Sequence, residues 1–284
     1  MFGFLNVYKP RGLTSHDVVA RLRRITKIKQ IGHTGTLDPF AEGVLPICIG
    51  KATRLIEYLN DDKAYEAIIQ LGSSTTTYDL EGEISHKSEK KVDINDVKKA
   101  LLNFIGDIEQ KPPIYSAIKI NGKKLYDYAR SGQDIELPTR QVTIYKLELL
   151  EFNEELQQIK VLIECSKGTY IRSIANDLGE TLGTFGHLTK LIRVKAGKFL
   201  LEDSIDLDNI DYEKVTNSLI PPLQKLDFKV CEIIEEECSL VKNGMRLKKE
   251  GFVNGELIIL TKSNSLISIA EFSNNELIQK KVFL

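Results

Sequence analysis

Cysteine is scarce: the 284 residues hold four, Cys48, Cys165, Cys231 and Cys238, and no two form a CxxC pair. That excludes a disulfide scaffold and reads instead as reduced thiols packed in the core of a cytoplasmic protein. Long apolar runs are missing too. None approaches the roughly 20 residues that a membrane-spanning helix needs. The opening MFGFLNVYKPRG lacks the basic-then-apolar order of a signal peptide, so the expectation is a cytoplasmic chain without membrane contact. Histidine is equally sparse. His16, His33, His86 and His187 lie scattered, without His-x-x-x-His or Cys/His spacing, which gives metal catalysis no support. No GxSxG elbow marks a serine hydrolase. Gly50 and Lys51 form a GK pair, but six residues separate Gly43 from Gly50 and Ala52 stands where a P-loop requires Ser or Thr, so a phosphate-cradling loop fails on spacing. Repeats and low-complexity tracts are absent. So is net charge: 39 Lys and Arg against 40 Asp and Glu leave −1, which on its face disfavours a nucleic-acid partner.

What is present reverses that last inference. Hydrophobic residues make up 42% of the chain, enough for one sizeable core and, at this length, a second small domain. Residues 1–56 carry nine Lys and Arg against Asp17, Asp38 and Glu42, whereas residues 201–240 carry eleven Asp and Glu against Lys214, Lys225 and Lys229. An acidic stretch masks a basic front, and the expectation is that the acidic stretch faces away from it.

Thr14 followed by Asp17 three residues later reads as a capping-box helix start, with Val18, Leu22, Ile25 and Ile28 as its apolar stripe and Arg21, Arg24 and Lys27 on another face. Residues 64–71 and 158–165 alternate, which is the period of half-buried strands with Tyr65, Ala67, Ile69 and Leu71, then Ile159, Val161, Ile163 and Cys165, pointing inward. After the SKGT turn, Ile171, Ile174, Ala175, Leu178 and Leu182 mark an amphipathic helix that Gly183 can close, placing Arg172 near its N-terminus. A helix is expected at 93–105. The Lys- and Tyr-rich segment that follows is long for a plain connection, and long loops in compact domains tend to be functional. Beyond Pro221 and Pro222, short alternating runs separated by NG and SNN turns read as a small all-β domain.

The densest feature is IGHTGTLDPFAEGVLPICIG at residues 31–50, four glycines and two prolines around His33 and Asp38. Its plainest reading is a tight loop in which Asp38 bonds its own turn. The run GHTGTLDPFAEGVLPICIGKATR, with LNVYKPRGLTSHDVV before it and CSKGTYIRSIANDLGE after it, closely resembles the tRNA pseudouridine-55 synthase family. AYEA and IYSAIKINGKKLYDYAR extend the match over residues 3 to about 195, and LVKNGMRL looks like the start of the family's small PUA-like RNA-binding β-barrel.

The resemblance implies an α/β (α+β) fold with a mixed, largely antiparallel central sheet flanked by helices. Residues 1–228 would be the catalytic domain, with an RNA-gripping insertion at about 117–141, and 229–284 the PUA-like domain. The implied reaction, which uses no cofactor or metal, breaks the N1–C1′ bond of one uridine in the tRNA T-arm, turns the base and rejoins it through C5. Asp38 is the residue carried over as catalytic, as nucleophile at C1′ or base at C2′; both roles need it ionised. Arg172 is its expected partner through a bidentate contact, because a guanidinium at a helix start is poorly placed unless a carboxylate is near. The uridine must be flipped out of its loop. Tyr65 resembles the stacking tyrosine, Tyr170 and Leu191 the residues lining the uridine pocket, and His33 the residue that fills the space left by flipped bases. Taken as residues alone, Tyr65 is equally a core tyrosine and His33 a structural histidine. Lys9 either supports the active-site floor or snorkels at the surface; with Arg21, Arg24, Lys119, Lys123, Lys124 and Arg130 it is a candidate for RNA contact. Family members commonly carry paired arginines after the pocket leucine, whereas here Leu191 is followed by Ile192 and Arg193. The expected protein is a monomer with tRNA as its partner. The alternatives are a non-catalytic RNA-binding protein that keeps the fold and, more remotely, a Gly-loop phosphotransferase.

Overall fold

The alternating runs form the spine of the structure, a computed structural model that describes every residue except Ala117, Asn121, Gly132, Gln133, Asp134 and Asn209, and, within the described residues, every side chain except those of Lys124, Ala129 and Arg130. The chain opens with β1 (Gly3–Lys9), α1 (Ser15–Thr26), β2 (Ile31–His33) and β3 (Glu42–Ile49), then a 3-10 segment, Gly50–Tyr58, and β4 (Lys63–Leu71). A hairpin of β5 (Ser73–Thr75) and β6 (Ile84–Lys87) leads through α2 (Ile94–Leu101) to β7 (Gly106–Gln110). The short β8 (Lys119–Ile120), β9 (Lys123–Lys124) and α3 (Leu125–Arg130) precede β10 (Arg140–Asn153), β11 (Gln158–Cys165), α4 (Ile171–Leu182) and β12 (Gly186–Ala196). After β13 (Phe199–Leu200), β14 (Ile205–Asp206) and α5 (Tyr212–Asn217) come β15 (Lys229–Glu232), α6 (Glu235–Lys242), β16 (Leu247–Lys248), β17 (Leu257–Lys262), β18 (Ser265–Ser273) and β19 (Glu276–Val282). Among the described residues, no helix is long and apolar enough to cross a membrane.

The large sheet runs β14-β1-β3-β12-β4-β11-β10-β7, with β13 added on β12 and β2 on β3. Its pairings are antiparallel except β1 with β14 and β3 with β12, the mixed sheet expected. The inward residues of β4 and β11 pack with Ile171, Ile174, Ala175, Leu178 and Leu182 of α4 in one core cluster. Each fully buried aliphatic side chain there is worth about 1.5–3 kcal/mol of transfer free energy. Gly179 and Gly186 make the helix-to-sheet approach possible, since a Cβ at Gly179 would lie 2.1 Å from the backbone nitrogen of Gly186. Gly183 closes α4 in the left-handed region at φ 67.

α1 has the predicted capping box, Thr14 with Asp17, but ends at Lys27, whose φ of 60 stops the helix before Ile28. The acidic stretch does not face away from this basic helix. β14 lies alongside β1, and Asp208 comes within 3.9 Å of Arg21.

The C-terminal sheet, order β15-β17-β18-β19-β16, forms the PUA-like half-barrel. It is not all β: residues 235–242 form a helix that the short alternating runs did not reveal. Glu235, Glu236 and Glu237 fill its first turn and Lys242 its last, charges that suit the helix dipole, and only Cys238 and Val241 are buried. This sheet shares a core with the large one: Phe4, Leu55, Phe199 and Leu226 pack with Ile259, Leu266, Ile269 and Phe283. The GK pair also belongs to this junction. Lys51 Nζ donates to the carbonyl of Phe283 at 2.9 Å and Arg54 Nη1 to that of Val282 at 2.7 Å.

Candidate active site

Asp38 sits on the turn between β2 and β3. The Asp38 carbonyl accepts from the Ala41 amide at 3.1 Å, closing the turn, while Ser15 at the head of α1 bonds the Leu37 amide at 2.8 Å. Two buried cations hold the same loop. Lys9 is fully buried, and its Nζ donates to the carbonyls of Pro10, Leu13 and Pro39 at 2.9, 2.7 and 3.3 Å. Burial lowers its pKa to about 8. Arg193, also fully buried, donates from Nε to the Val44 carbonyl at 2.7 Å and from Nη2 to that of Gly35 at 3.1 Å. Gly43 lets β3 come this close to β12, because a Cβ there would meet the Arg193 carbonyl at 2.3 Å.

From the other side, α4 presents Arg172. Its Nε lies 3.0 Å from Asp38 Oδ2, and Nη1 lies 3.3 Å from Asp79 Oδ2. Nη1 and Nη2 donate to the carbonyls of Thr77 and Tyr115 at 3.1 and 3.0 Å. The contact with Asp38 is therefore a single ion pair rather than a bidentate one, and Nε finds no hydrogen-bond partner among the described residues: the guanidinium is shared between two carboxylates and two carbonyls. Asp79 is itself buried and accepts from the Glu81 amide at 3.0 Å. Asp38 has a side chain about a third exposed, 36%, at the mouth of the site. Its pKa is raised, chiefly by desolvation; the cation of Arg172 opposes this and the like charge of Asp79 adds to it.

Asp38 and Arg172 face a cleft of about 760 Å³ whose walls include Tyr65, Tyr170 and Leu191, so five of the residues singled out in the sequence meet in one place. The register does this: β4 lies between β11 and β12, setting Tyr65 beside Arg193 and Ala67 beside Leu191. Burial pushes the Tyr65 hydroxyl up to about 12, leaving it protonated at neutral pH. Tyr170 caps α4, its amide donating to Gln110 Oε1 at 2.7 Å and its carbonyl accepting from Gln110 Nε2 at 3.0 Å. A carboxylate held beside a guanidinium, between aromatic and aliphatic walls, can grip a planar ring and act as nucleophile or base on the group attached to it.

His33 stands apart. It ends β2, does not line the cleft, and has a buried Nδ1 without a hydrogen-bond partner among the described residues; burial and the charge of Arg193 lower its pKa, which favours the neutral imidazole. Lys9, expected either under the site or at the surface, is fully buried, its ammonium held by three carbonyls beneath the Asp38 loop rather than exposed for RNA contact. Of the other expected RNA contacts, Arg24 and Lys119 are exposed, Arg21 is half-buried beside Asp208, and Lys123 Nζ lies 4.4 Å from the Tyr128 ring centroid. The side chains of Lys124 and Arg130 lie outside those described. Asp79 and Arg193 were missed as site residues. Asp79 sits in a turn without periodicity, while Arg193 enters the sequence reading only as the arginine after Ile192; its alternation with Leu191, which puts both on the buried face of β12, is the available signal.

Residues 23–171 match the TruB family of pseudouridylate synthases, N-terminal domain. The chain is 41% identical to the tRNA pseudouridine synthase B of Geobacillus thermodenitrificans over 95% of this chain and 94% of that one. It is 42% identical to the tRNA pseudouridine synthase B of Trichormus variabilis over 100% and 99%. In fold it resembles a chain of a Cbf5-Nop10-Gar1 complex, with a TM-score of 0.74 and 25% identity over all of this chain and 85% of that one. A chain from an H/ACA RNP bound to a substrate RNA containing 2′-deoxyuridine gives 0.73 at 24% identity, covering 100% and 85%. With the match spanning the Asp38 loop and reaching α4, this chain belongs to the TruB family of pseudouridylate synthases.

Proposed function

We propose that this protein isomerises uridine to pseudouridine at position 55, in the T loop of tRNA. The observation that carries the reading is the Asp38–Arg172 pair at the mouth of a cleft walled by Tyr65, Tyr170 and Leu191. A uridine inside a folded loop must be flipped to reach it, at a cost of about a few kcal/mol of unstacking, which stacking on Tyr65 offsets. The Asp38 carboxylate either attacks C1′ or removes the C2′ proton, and the N1–C1′ bond breaks. The base turns between the walls and C5 bonds to C1′, as the Asp38–C1′ bond breaks on the first route or as Asp38 returns the proton to C2′ on the second; C5 then loses its proton and N1 gains one. Arg172 keeps Asp38 ionised and aimed. The chain needs no cofactor for these steps, since every change is a proton transfer or an exchange at C1′.

Residues 1–228 act as the catalytic domain, with 117–141 gripping the RNA and His33 filling the gap left by the flipped base. Residues 229–284 form the accessory RNA-binding domain. The protein works as a cytoplasmic monomer on the T-arm. Incubation with unmodified tRNA, followed by carbodiimide-dependent primer extension, is expected to give one stop in the T loop, absent for Asp38→Ala. Stops in another arm would overturn the position; tight binding without any stop would make the protein a non-catalytic RNA binder.

A further inference from the structure

The charges lining the cleft do not cancel, and the surplus is localised. Four cations and two carboxylates line it. Lys63 is committed to Asp61 at 2.5 Å and Arg172 to Asp38 and Asp79. The remaining two, Arg140 and Lys167, are both exposed, and neither side chain has a hydrogen bond or ion pair with any described residue. They belong to one wall. Arg140 begins β10 and Lys167 lies in the turn after β11; the Thr143 amide donates to Ser166 Oγ and the Ser166 amide to the Thr143 carbonyl, both at 2.9 Å, fastening the two segments together. The same wall holds Tyr170. Arg140 is paired in register with Gln110, whose side chain grips the Tyr170 backbone, and Lys167 precedes Tyr170 by three residues.

From this we infer that Arg140 and Lys167 bind the two phosphates flanking the flipped nucleotide, holding its backbone at the cleft mouth while the base reaches the Tyr170 wall. The inference rests on the functional reading above and names the part of the RNA that this wall takes. A guanidinium and an ammonium exposed on one hydrogen-bonded wall suit phosphate oxygens, the first through its fork and the second as a point charge. Neither touches the reacting atoms. Their contribution is to association and to the salt dependence that each neutralised phosphate adds.

The test is tRNA binding by the full chain as a function of salt, with steady-state kinetics, for Arg140→Gln, Lys167→Gln and the double variant. Each single change is expected to weaken binding several-fold at low salt and to reduce the slope of log affinity against log salt by roughly 0.7 to 0.9, with the double variant losing about twice that. The loss should fall on KM, while Arg140→Lys and Lys167→Arg recover the slope. Lys160→Gln, on the outward face of β11 beside Glu66, serves as the control. Wild-type slopes retained in Arg140→Gln and Lys167→Gln, or a loss confined to kcat, would overturn the phosphate assignment. Failure of the wild type to bind or modify tRNA would instead overturn the functional reading beneath it.

Discussion

At the scale of single residues, the site works by setting one carboxylate among charges of both signs. The proposed reaction needs Asp38 ionised, so activity is expected to fall as pH drops through its raised pKa. Asp79 pushes that pKa up and Arg172 pulls it down. Asp79→Asn removes the like charge and is expected to move the acid limb of the single-turnover rate to lower pH, whatever it does to the plateau; a limb moving upward would refute this electrostatic account. Lys9 gives the complementary prediction for stability. Its folded pKa of about 8 lies below the ordinary value of 10.5. Between those values the unfolded chain binds more protons than the folded one, so the contribution of Lys9 to stability rises with pH. At roughly 1.4 kcal/mol per pKa unit, urea denaturation should show the wild type gaining about 3 kcal/mol on Lys9→Met between pH 7 and 11. Parallel curves would mean that the buried ammonium is not the titrating group.

At the scale of elements, the site depends on how closely α4 can approach the sheet. Arg172 and Tyr170 stand at the N-terminal end of α4, and Gly179 touches the start of β12 further along, so a shift of the helix displaces both site residues. A methyl group at Gly179 would meet backbone atoms of Phe185 and Gly186 at 2.2 and 2.1 Å, which no rotamer change can relieve. Gly179→Ala should therefore cost about 3 kcal/mol or more, by overpacking, although alanine is the better helix former. Thermal unfolding would reveal it as a lowered midpoint, and a variant as stable as wild type would show that the helix can move away freely.

For the whole molecule, a net charge of −1 conceals a distribution in which much of the surplus is spent internally. The acidic stretch reaches α1 through Asp208, yet the charges acting on Asp38 come from Arg172, Asp79 and Lys9. The relevant field is local. The two sheets are likewise not independent, because Ile259, Leu266, Ile269 and Phe283 complete a core begun by Phe4 and Leu55. A fragment of residues 1–228 would expose that face. We expect it to unfold at lower temperature and to self-associate in sedimentation, whereas a monomeric fragment with an unchanged midpoint would show that the shared core contributes little.

The sequence by itself determined the elements whose signal is periodic or local: the alternation in β4 and β11, the stripe of α4, the Thr14–Asp17 cap, the left-handed glycine after Leu182. Through its motifs it also determined which side chains meet at the cleft, Asp38, Tyr65, Tyr170, Arg172 and Leu191. Only the tertiary structure decided what depends on contacts between distant segments. It placed Lys9 in the floor rather than on the surface and divided Arg172 between Asp38 and Asp79. It turned the GKATR block into the dock for the last strand and brought α6 into a domain that read as all β. The physical reason is range: backbone periodicity is set within a few residues, whereas the burial and pairing of a charge depend on register between strands far apart in the chain.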